Sequence, residues 1–276
     1  MLTKTEMRFP HKALLTAVML EEMYEYPREI VRLNYRDQSD GIISGLEYVI
    51  RNGELILTEG LLKFEGEIYM LSSAVNISEL AEKCGLMSSG IYDINLSRAM
   101  GIKRDVCLTE ERLEIRFLDV ERENVGAGGF TLGTIHYTGR DRFTLPALSD
   151  GENAFEHFFE PSRVDVTKVL VSARTQATFH PLIFRAVEKF LETKPDKTFM
   201  DCALLVTLQT VGSISVETLK AYVFAEGGSS KTNDRLKLLK EFFDCLMRSK
   251  LKMLRAENSR EEYTMPSKKK SSGRMI

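Results

Sequence analysis

Four kinds of residue cluster in this chain could in principle do chemistry, and each lacks the spacing its chemistry needs. The glycine run Gly126-Ala127-Gly128-Gly129 invites comparison with a phosphate-cradling loop. A nucleotide loop requires G-x-x-x-x-G-K-[ST] opening directly into a helix, and neither condition is met, so the run reads as a long hairpin connection. The serines include none in a G-x-S-x-G elbow, and His136 has no triad context. Carboxylate pairs such as Glu110-Glu111 and Glu261-Glu262 are adjacent in sequence and point in different directions, which suits solvated surface and not an acid–base pair. His11, His136, His157 and His180 are scattered, and Cys84, Cys107, Cys202 and Cys245 form no CxxC pair, so no zinc-type ligand spacing exists. The cysteines read as reduced, mostly buried thiols. The expectation is therefore a protein without catalytic residues, metal or cofactor.

The elements that would position any site fall into three blocks. The 276 residues, 43% hydrophobic and 28% charged, suffice for a proper core and for two modest domains. An apolar stripe of Leu14, Leu15, Val18 and Met19 predicts a helix from Lys12 to Tyr26, stopped by Pro27. The following REIVRLNYRDQSDG reads as extended or irregular, so residues 1–40 form an N-terminal helix and connecting arm. Residues 41–148 read as an antiparallel β domain, a sandwich or small barrel. Asn52-Gly53 is a strong hairpin signal between LEYVI and ELILT, and Glu65-Gly66 marks a second tight turn between LLKF and EIYML. A short helix near Ile77–Lys83 interrupts the strands. RLEIRFL alternates, with Leu113, Ile115 and Phe117 facing one way and Arg112, Glu114 and Arg116 the other, and TLGTIHY supplies a later strand.

Residues 149–178 read as a linker and residues 179–257 as a helical domain. Pro181 opens LIFRAVEKFLET at a position where proline is tolerated. MDCALLVTLQTV, apolar nearly all round, is expected to be the buried central helix. Ser215 is a suitable cap for VETLKAYVFAE, which ends at Gly227-Gly228. Leu236, Leu239, Phe243, Leu246 and Leu254 form one stripe of the last helix, and residues 258–276 read as a disordered basic tail. The fold class expected is α+β: an N-terminal helix, antiparallel sheet, then a C-terminal helical bundle.

Charge is uneven. The formal net charge is -2, yet the stretch from Lys231 to the C-terminus holds 13 Lys and Arg against 6 Asp and Glu. An acidic body with a basic end suits docking on a neighbouring subunit or a solvated helix and tail. LLVTLQTVGSISVETLKAYVFAEGG has helix-turn-helix spacing, but its second helix offers only Lys220 as a base, too little to neutralise phosphates. A nucleic-acid-binding regulator using these helices and the basic tail is the alternative function. No stretch approaches the ~18 uninterrupted apolar residues of a membrane span, and the N-terminus lacks the apolar run of a signal peptide. Tyr24, Tyr26, Pro27, Arg28 and Tyr35 stand apart, since aromatics near a helix end often anchor interfaces. They are the candidate partner-binding residues.

The run YEYPREIVRLNYRDQSDGIISGLEYVIRNGELILTEGLLKFEGEIYML resembles tail or baseplate proteins of Firmicutes prophages and phage-tail-like particles. The resemblance pairs a YPR segment with SDGIISG and then a G-x-x-K-x-x-G-x-x-Y element, here Gly60, Lys63, Gly66 and Tyr69. It is clearest over Tyr24–Leu71 and looser through Arg142. Similar sequences sometimes carry a helicase label, which the lack of a Walker motif contradicts. The resemblance implies a non-enzymatic structural component at a baseplate or fibre-attachment region. It further implies assembly in the cytoplasm into a tail or tail-like particle, with other tail subunits as partners in a homo-oligomer or hetero-assembly. Neither nucleic acid nor membrane is implied as a partner.

Overall fold

A computed structural model describes residues 16–84, 86, 89–105, 108–120, 129–137, 143–145, 155–160, 163–229 and 234–248, by backbone alone at 100–105, 108–112 and 157. The stripe position Leu254, the glycines 126–128 and the tail 258–276 lie outside the described residues. The fold is α+β: an N-terminal helix, antiparallel sheets, then C-terminal helices.

The first helix, α1 (Ala17–Asn34), does not stop at Pro27 but runs through it for 18 residues. Proline removes one backbone donor and crowds the carbonyl four residues earlier. In a helix without a single buried residue, a carbonyl freed by the proline is not shut away from solvent, which lowers the cost of the missing bond, and the break expected from sequence does not occur. Residues 28–34, expected to be extended, are accordingly helical. Thr16 caps the start, its hydroxyl accepting from the Met19 backbone at 3.3 Å.

Among the described residues ten strands make three sheets. β1 (Gly41–Gly45), β4 (Gly60–Phe64) and β5 (Glu67–Leu71) form one, in the order β1-β4-β5. β2 (Tyr48–Arg51), β3 (Glu54–Leu57) and β6 (Val75–Asn76) form the second, and β10 (Val164–Asp165), β9 (Phe130–Tyr137), β7 (Gly90–Asp105) and β8 (Leu108–Asp119) the third, each in the order given. The two sequence-marked hairpins are present. Asn52 and Gly53 have φ of 55° and 83°, Glu65 and Gly66 have 51° and 81°, the double positive φ that lets a two-residue turn follow the strand twist. On β8, Leu113, Ile115 and Phe117 pack against the core while Glu114 and Arg116 are exposed. Residues 163–178, within the expected linker, contribute β10 and backbone bonds to β1, including Ile42 N–H to the Leu170 carbonyl at 2.9 Å.

Short helix α2 (Ile77–Lys83) is capped by Asn76, which accepts from Glu79 N–H at 3.1 Å. The C-terminal helices are α3 (Pro181–Thr193), α4 (Phe199–Val211), α5 (Val216–Ala225) and α6, helical over 235–248. Buried apolar residues run without interruption from Tyr48, Leu55 and Ile77 through Ile94 and Ile135 to Phe184, Val187, Leu239 and Phe243. At roughly 25 cal/mol per Å² of apolar area, this shared core is the main source of stability.

α3 buries seven residues, whereas α4 buries only Asp201, Leu204 and Leu208. The expected central helix is thus peripheral on one side, with Phe199 85%, Val206 59% and Val211 68% exposed. An apolar residue on every face cannot specify which face packs, and the neighbours of α4 cover just one. The stripe of α6 is buried as expected at Leu239, Phe243 and Leu246. Of the three cysteines described, only Cys245 is buried; Cys84 caps the end of α2 and Cys202 lies on the open side of α4, both exposed. Neither position is enclosed by a neighbouring element, which corrects the expectation of mostly buried thiols.

His180 is the N-cap of α3, fully buried, its Nδ1 accepting from the Leu182 backbone at 3.2 Å. Burial, with the nearby charge of Arg185 adding to it, lowers its pKa to about 3. The unfolded chain takes up a proton below its ordinary pKa near 6.5 while the folded chain does not. Stability is therefore complete above that value and falls as pH drops towards 3, by about 2 kcal/mol between pH 7 and pH 5. Denaturant midpoints at the two pH values check this. His180→Asn retains a capping side chain and should flatten the slope; an unchanged slope would assign the loss to other groups.

Candidate assembly interface

The arm is attached to the sheets by a buried lysine. Lys63 on β4 is 8% exposed and donates to the carbonyls of Tyr35 at 2.9 Å, Arg36 at 3.1 Å and Gln38 at 2.6 Å. These carbonyls lie just past the C-terminus of α1, where the helix dipole is negative and a cation is favoured. Charge-assisted bonds of this kind are stronger than neutral ones. Sequence reading noted Lys63 only as a motif letter. A lysine set within the otherwise apolar run Leu61-Leu62-Lys63-Phe64 was the available signal that its ammonium is satisfied inside the fold.

The segment preceding β1 is held from both sides. Asp40 accepts from the backbone N–H groups of Glu65, at 2.9 Å, and Gly66, at 3.3 Å, clasping the β4–β5 turn. The Ser39 N–H donates to the Ala173 carbonyl at 2.9 Å, the Ala173 N–H donates to Ser39 Oγ at 3.2 Å, and Ser172 Oγ donates to the Ser39 carbonyl at 2.6 Å. Gly45, at φ 62°, leaves no room for a Cβ against the Glu59 carbonyl, and a Cβ on Gly60 would collide with the Ser44 carbonyl. Of the motif letters, Asp40, Lys63 and Gly66 thus fix the base of α1 to the β1–β4–β5 sheet, Ser39 ties the same segment to residues 172 and 173, and Gly45 and Gly60 let β1 and β4 approach closely. Tyr69, the last of them, lines an apolar groove of about 670 Å³ with Leu62, Leu71 and Leu113.

The five partner-binding candidates divide on this frame. Tyr24 and Arg28 share a face one turn apart, with the guanidinium 6.0 Å from the ring centroid. Arg28 also reaches Glu67 of β5 at 3.9 Å, both side chains more than half exposed, a pair worth less than ~1 kcal/mol. Tyr26 is 46% exposed on another face, Pro27 is exposed in mid-helix, and Tyr35 is half-buried at the anchor. Around them Val18, Leu20, Met23, Ile30, Val31 and Leu33 are each at least 38% exposed. An 18-residue helix with this much apolar surface and no buried residue gains nothing from tertiary packing.

The titratable groups displaced most from their ordinary behaviour are engaged elsewhere. Tyr48 and His180 are shifted chiefly by burial, and Asp201 is bonded to Lys194 and Tyr222. Among the described residues no group of three or more His, Cys, Asp or Glu is placed to hold a metal ion, and no helix is long and apolar enough to cross a membrane.

This geometry defines a class: an α+β module carrying an anchored, solvent-exposed amphipathic helix. No protein-family model matches the chain, and no curated protein sequence matches it. Two solved structures are similar to it at low level. One is a chain of the type VI secretion system TssK-TssF-TssG baseplate subcomplex, 10% identical, covering 90% of this chain and 100% of the other, with a TM-score of 0.34. The second belongs to the baseplate complex of the type VI secretion system, 11% identical over 89% of this chain and 100% of that one, with a TM-score of 0.33.

Proposed function

We propose that this chain is a non-enzymatic structural component of a phage tail or tail-like particle, in the baseplate or fibre-attachment region, that works through protein–protein contacts. The observation that carries the reading is α1, an 18-residue amphipathic helix without a buried residue, locked at its base by Lys63. A helix that exposes its apolar stripe in isolation is completed by a partner surface. The rigid anchor means the stripe is presented in a set direction and does not wander on a flexible tether. The sequence resemblance to tail and baseplate proteins falls on the arm, its anchor and the first two hairpins, the same parts that build this presentation. Tyr24, Tyr26, Pro27, Arg28 and Tyr35 are the proposed partner-facing residues, with the neighbouring apolar side chains of α1 beside them. The particle's other subunits are the partners, and assembly takes place in the cytoplasm.

The test is co-assembly. The chain carrying Leu20→Ser, Met23→Ser and Ile30→Ser should fold normally, because these side chains are exposed, yet be absent from particles assembled with the subunits encoded beside it. Incorporation at the level of the unaltered chain would remove the proposal. Purified protein that binds nucleic acid and releases it at high salt would favour a regulator in its place.

A further inference from the structure

Two sheets end in strands that are open on one side. Among the described residues β5 has a ladder partner only in β4, and β8 only in β7. Half of the backbone N–H and C=O groups of each strand therefore point away from its sheet. Both strands line the apolar groove of about 670 Å³ that holds Tyr69. Ile68 to Leu71 line it in unbroken succession, and so do Leu113 to Ile115. Neighbouring side chains of a strand leave opposite faces, so a groove reached by four in a row runs along the edge of β5 and not over one face. Leu62, Leu96 and Leu132, which also line it, are buried core residues. Soluble proteins guard open edges with Lys, Pro or a bulge, yet Glu67–Leu71 contains neither residue and pairs with β4 in unbroken register. The turn fixes which of its groups are free. Glu65-Gly66 closes a two-residue hairpin, so Glu67, Tyr69 and Leu71 bond to β4, and the N–H and C=O of Ile68 and Met70 face outward. The Tyr69 hydroxyl is buried and has no hydrogen-bond partner among the described residues, a costly state that an occupant of the groove would relieve.

We propose that an extended segment of another protein adds to the open edge of β5 as a further strand, with alternate apolar side chains in the groove. The backbone decides the kind of occupant. Outward groups at Ile68 and Met70 are met in register by an extended chain, whereas a helix uses its backbone groups internally and an apolar small molecule has none to offer. With a side-chain period of two, the segment carries Val, Ile or Leu at i, i+2 and i+4 and no proline between them. A hydroxyl or carbonyl of the segment meets Tyr69 Oη. This site is separate from the apolar stripe of α1 and does not rest on it.

A displayed library of random decapeptides, selected on the immobilised full chain, supplies the probe. The enriched peptides should alternate apolar and polar residues and lack proline. A synthetic member of that set should slow amide exchange at Ile68 and Met70 about tenfold. Met70→Pro, at a side chain 72% exposed, deletes one outward N–H without breaking a bond to β4. It should weaken peptide binding about tenfold, the worth of one hydrogen bond. Tyr69→Phe should weaken binding several-fold while leaving the free chain no less stable, since it removes an unpaired buried hydroxyl. Should the proline variant fail to fold, Tyr69→Phe and the exchange footprint decide without it. An absence of enriched peptides, enriched peptides with apolar residues at helical spacing, or binding undiminished by Met70→Pro in a folded chain would each overturn the proposal. The chain with Leu20→Ser, Met23→Ser and Ile30→Ser should bind the peptide as the unaltered chain does. Loss of binding there would place the peptide on α1, overturning the β5 site while leaving the assembly reading in place.

Discussion

Replacing Asp201 by alanine is expected to lower stability by about 3–5 kcal/mol, because it leaves a buried ammonium without its counter-charge. Asp201 is fully buried and Lys194 is 6% exposed. The Lys194 Nζ donates to Asp201 Oδ2 at 2.6 Å and to the Leu246 carbonyl at 3.3 Å. Tyr222 Oη donates to Oδ1 at 2.7 Å, and the Thr198 backbone N–H donates to Oδ2 at 2.9 Å as half of a capping box. The carboxylate therefore ties the end of α3, the start of α4 and the middle of α5, and its partner Lys194 extends the link to the α6 backbone. Burial by itself would raise its pKa, but the bonds from Lys194, Tyr222 and Thr198 outweigh burial and hold it below the usual carboxylate range. Its stabilisation is accordingly present above the ordinary carboxylate pKa and lost as pH falls through the lowered value. Equilibrium denaturation of Asp201→Ala checks the size. Lys194→Met combined with Asp201→Leu should recover most of the loss, as removing both charges removes the desolvation cost. A single variant costing less than ~1 kcal/mol would mean that Lys194 finds another partner.

The second large effect falls on the arm. Lys63→Met keeps the aliphatic stem but leaves the carbonyls of Tyr35, Arg36 and Gln38 without their shared donor. Hydrogen bonds to charged groups contribute about 1.5–3 kcal/mol, and solvation of the released carbonyls offsets part of three such bonds, so a net of roughly 3 kcal/mol is expected. The loss is local, since α1 shares no buried residue with the core. Hydrogen exchange is the informative measurement: amides at the end of α1 and over 35–40 should exchange about a hundredfold faster, one decade per 1.4 kcal/mol, with the β7–β9 ladder unchanged. Uniform acceleration across the protein would show instead that Lys63 supports the whole core. If presentation of the arm underlies assembly, the same variant should also enter particles poorly.

How legible each part was depends on the range of the interactions that made it. The two hairpins were visible because Asn52-Gly53 and Glu65-Gly66 state their turn conformation within two residues, and the glycine φ values bear this out. The helix start marked by Pro181 and the cap at Ser215 were equally local, whereas the capping role of His180 was seen only in the structure. Pro27 misled because its cost depends on whether the freed carbonyl is buried, and that is a property of surroundings. α4 misled for a related reason: with apolar residues on all sides, only its neighbours choose the buried face.

The sequence by itself determined the order and type of most elements, the turn geometries and the patterning of β8 and α6, all set by contacts between residues near in the chain. Only the tertiary structure decided the rest. Lys63 lies more than 20 residues from each of the three carbonyls it holds, and Asp201 lies 21 residues from Tyr222. No spacing rule relates such residues, since loop closure brings them together only once the sheets and helices have formed. The exposure of α1 is likewise a tertiary fact. Amphipathicity says that a helix has an apolar face, but whether the rest of the chain covers that face is settled by where Lys63 and Asp40 hold its base.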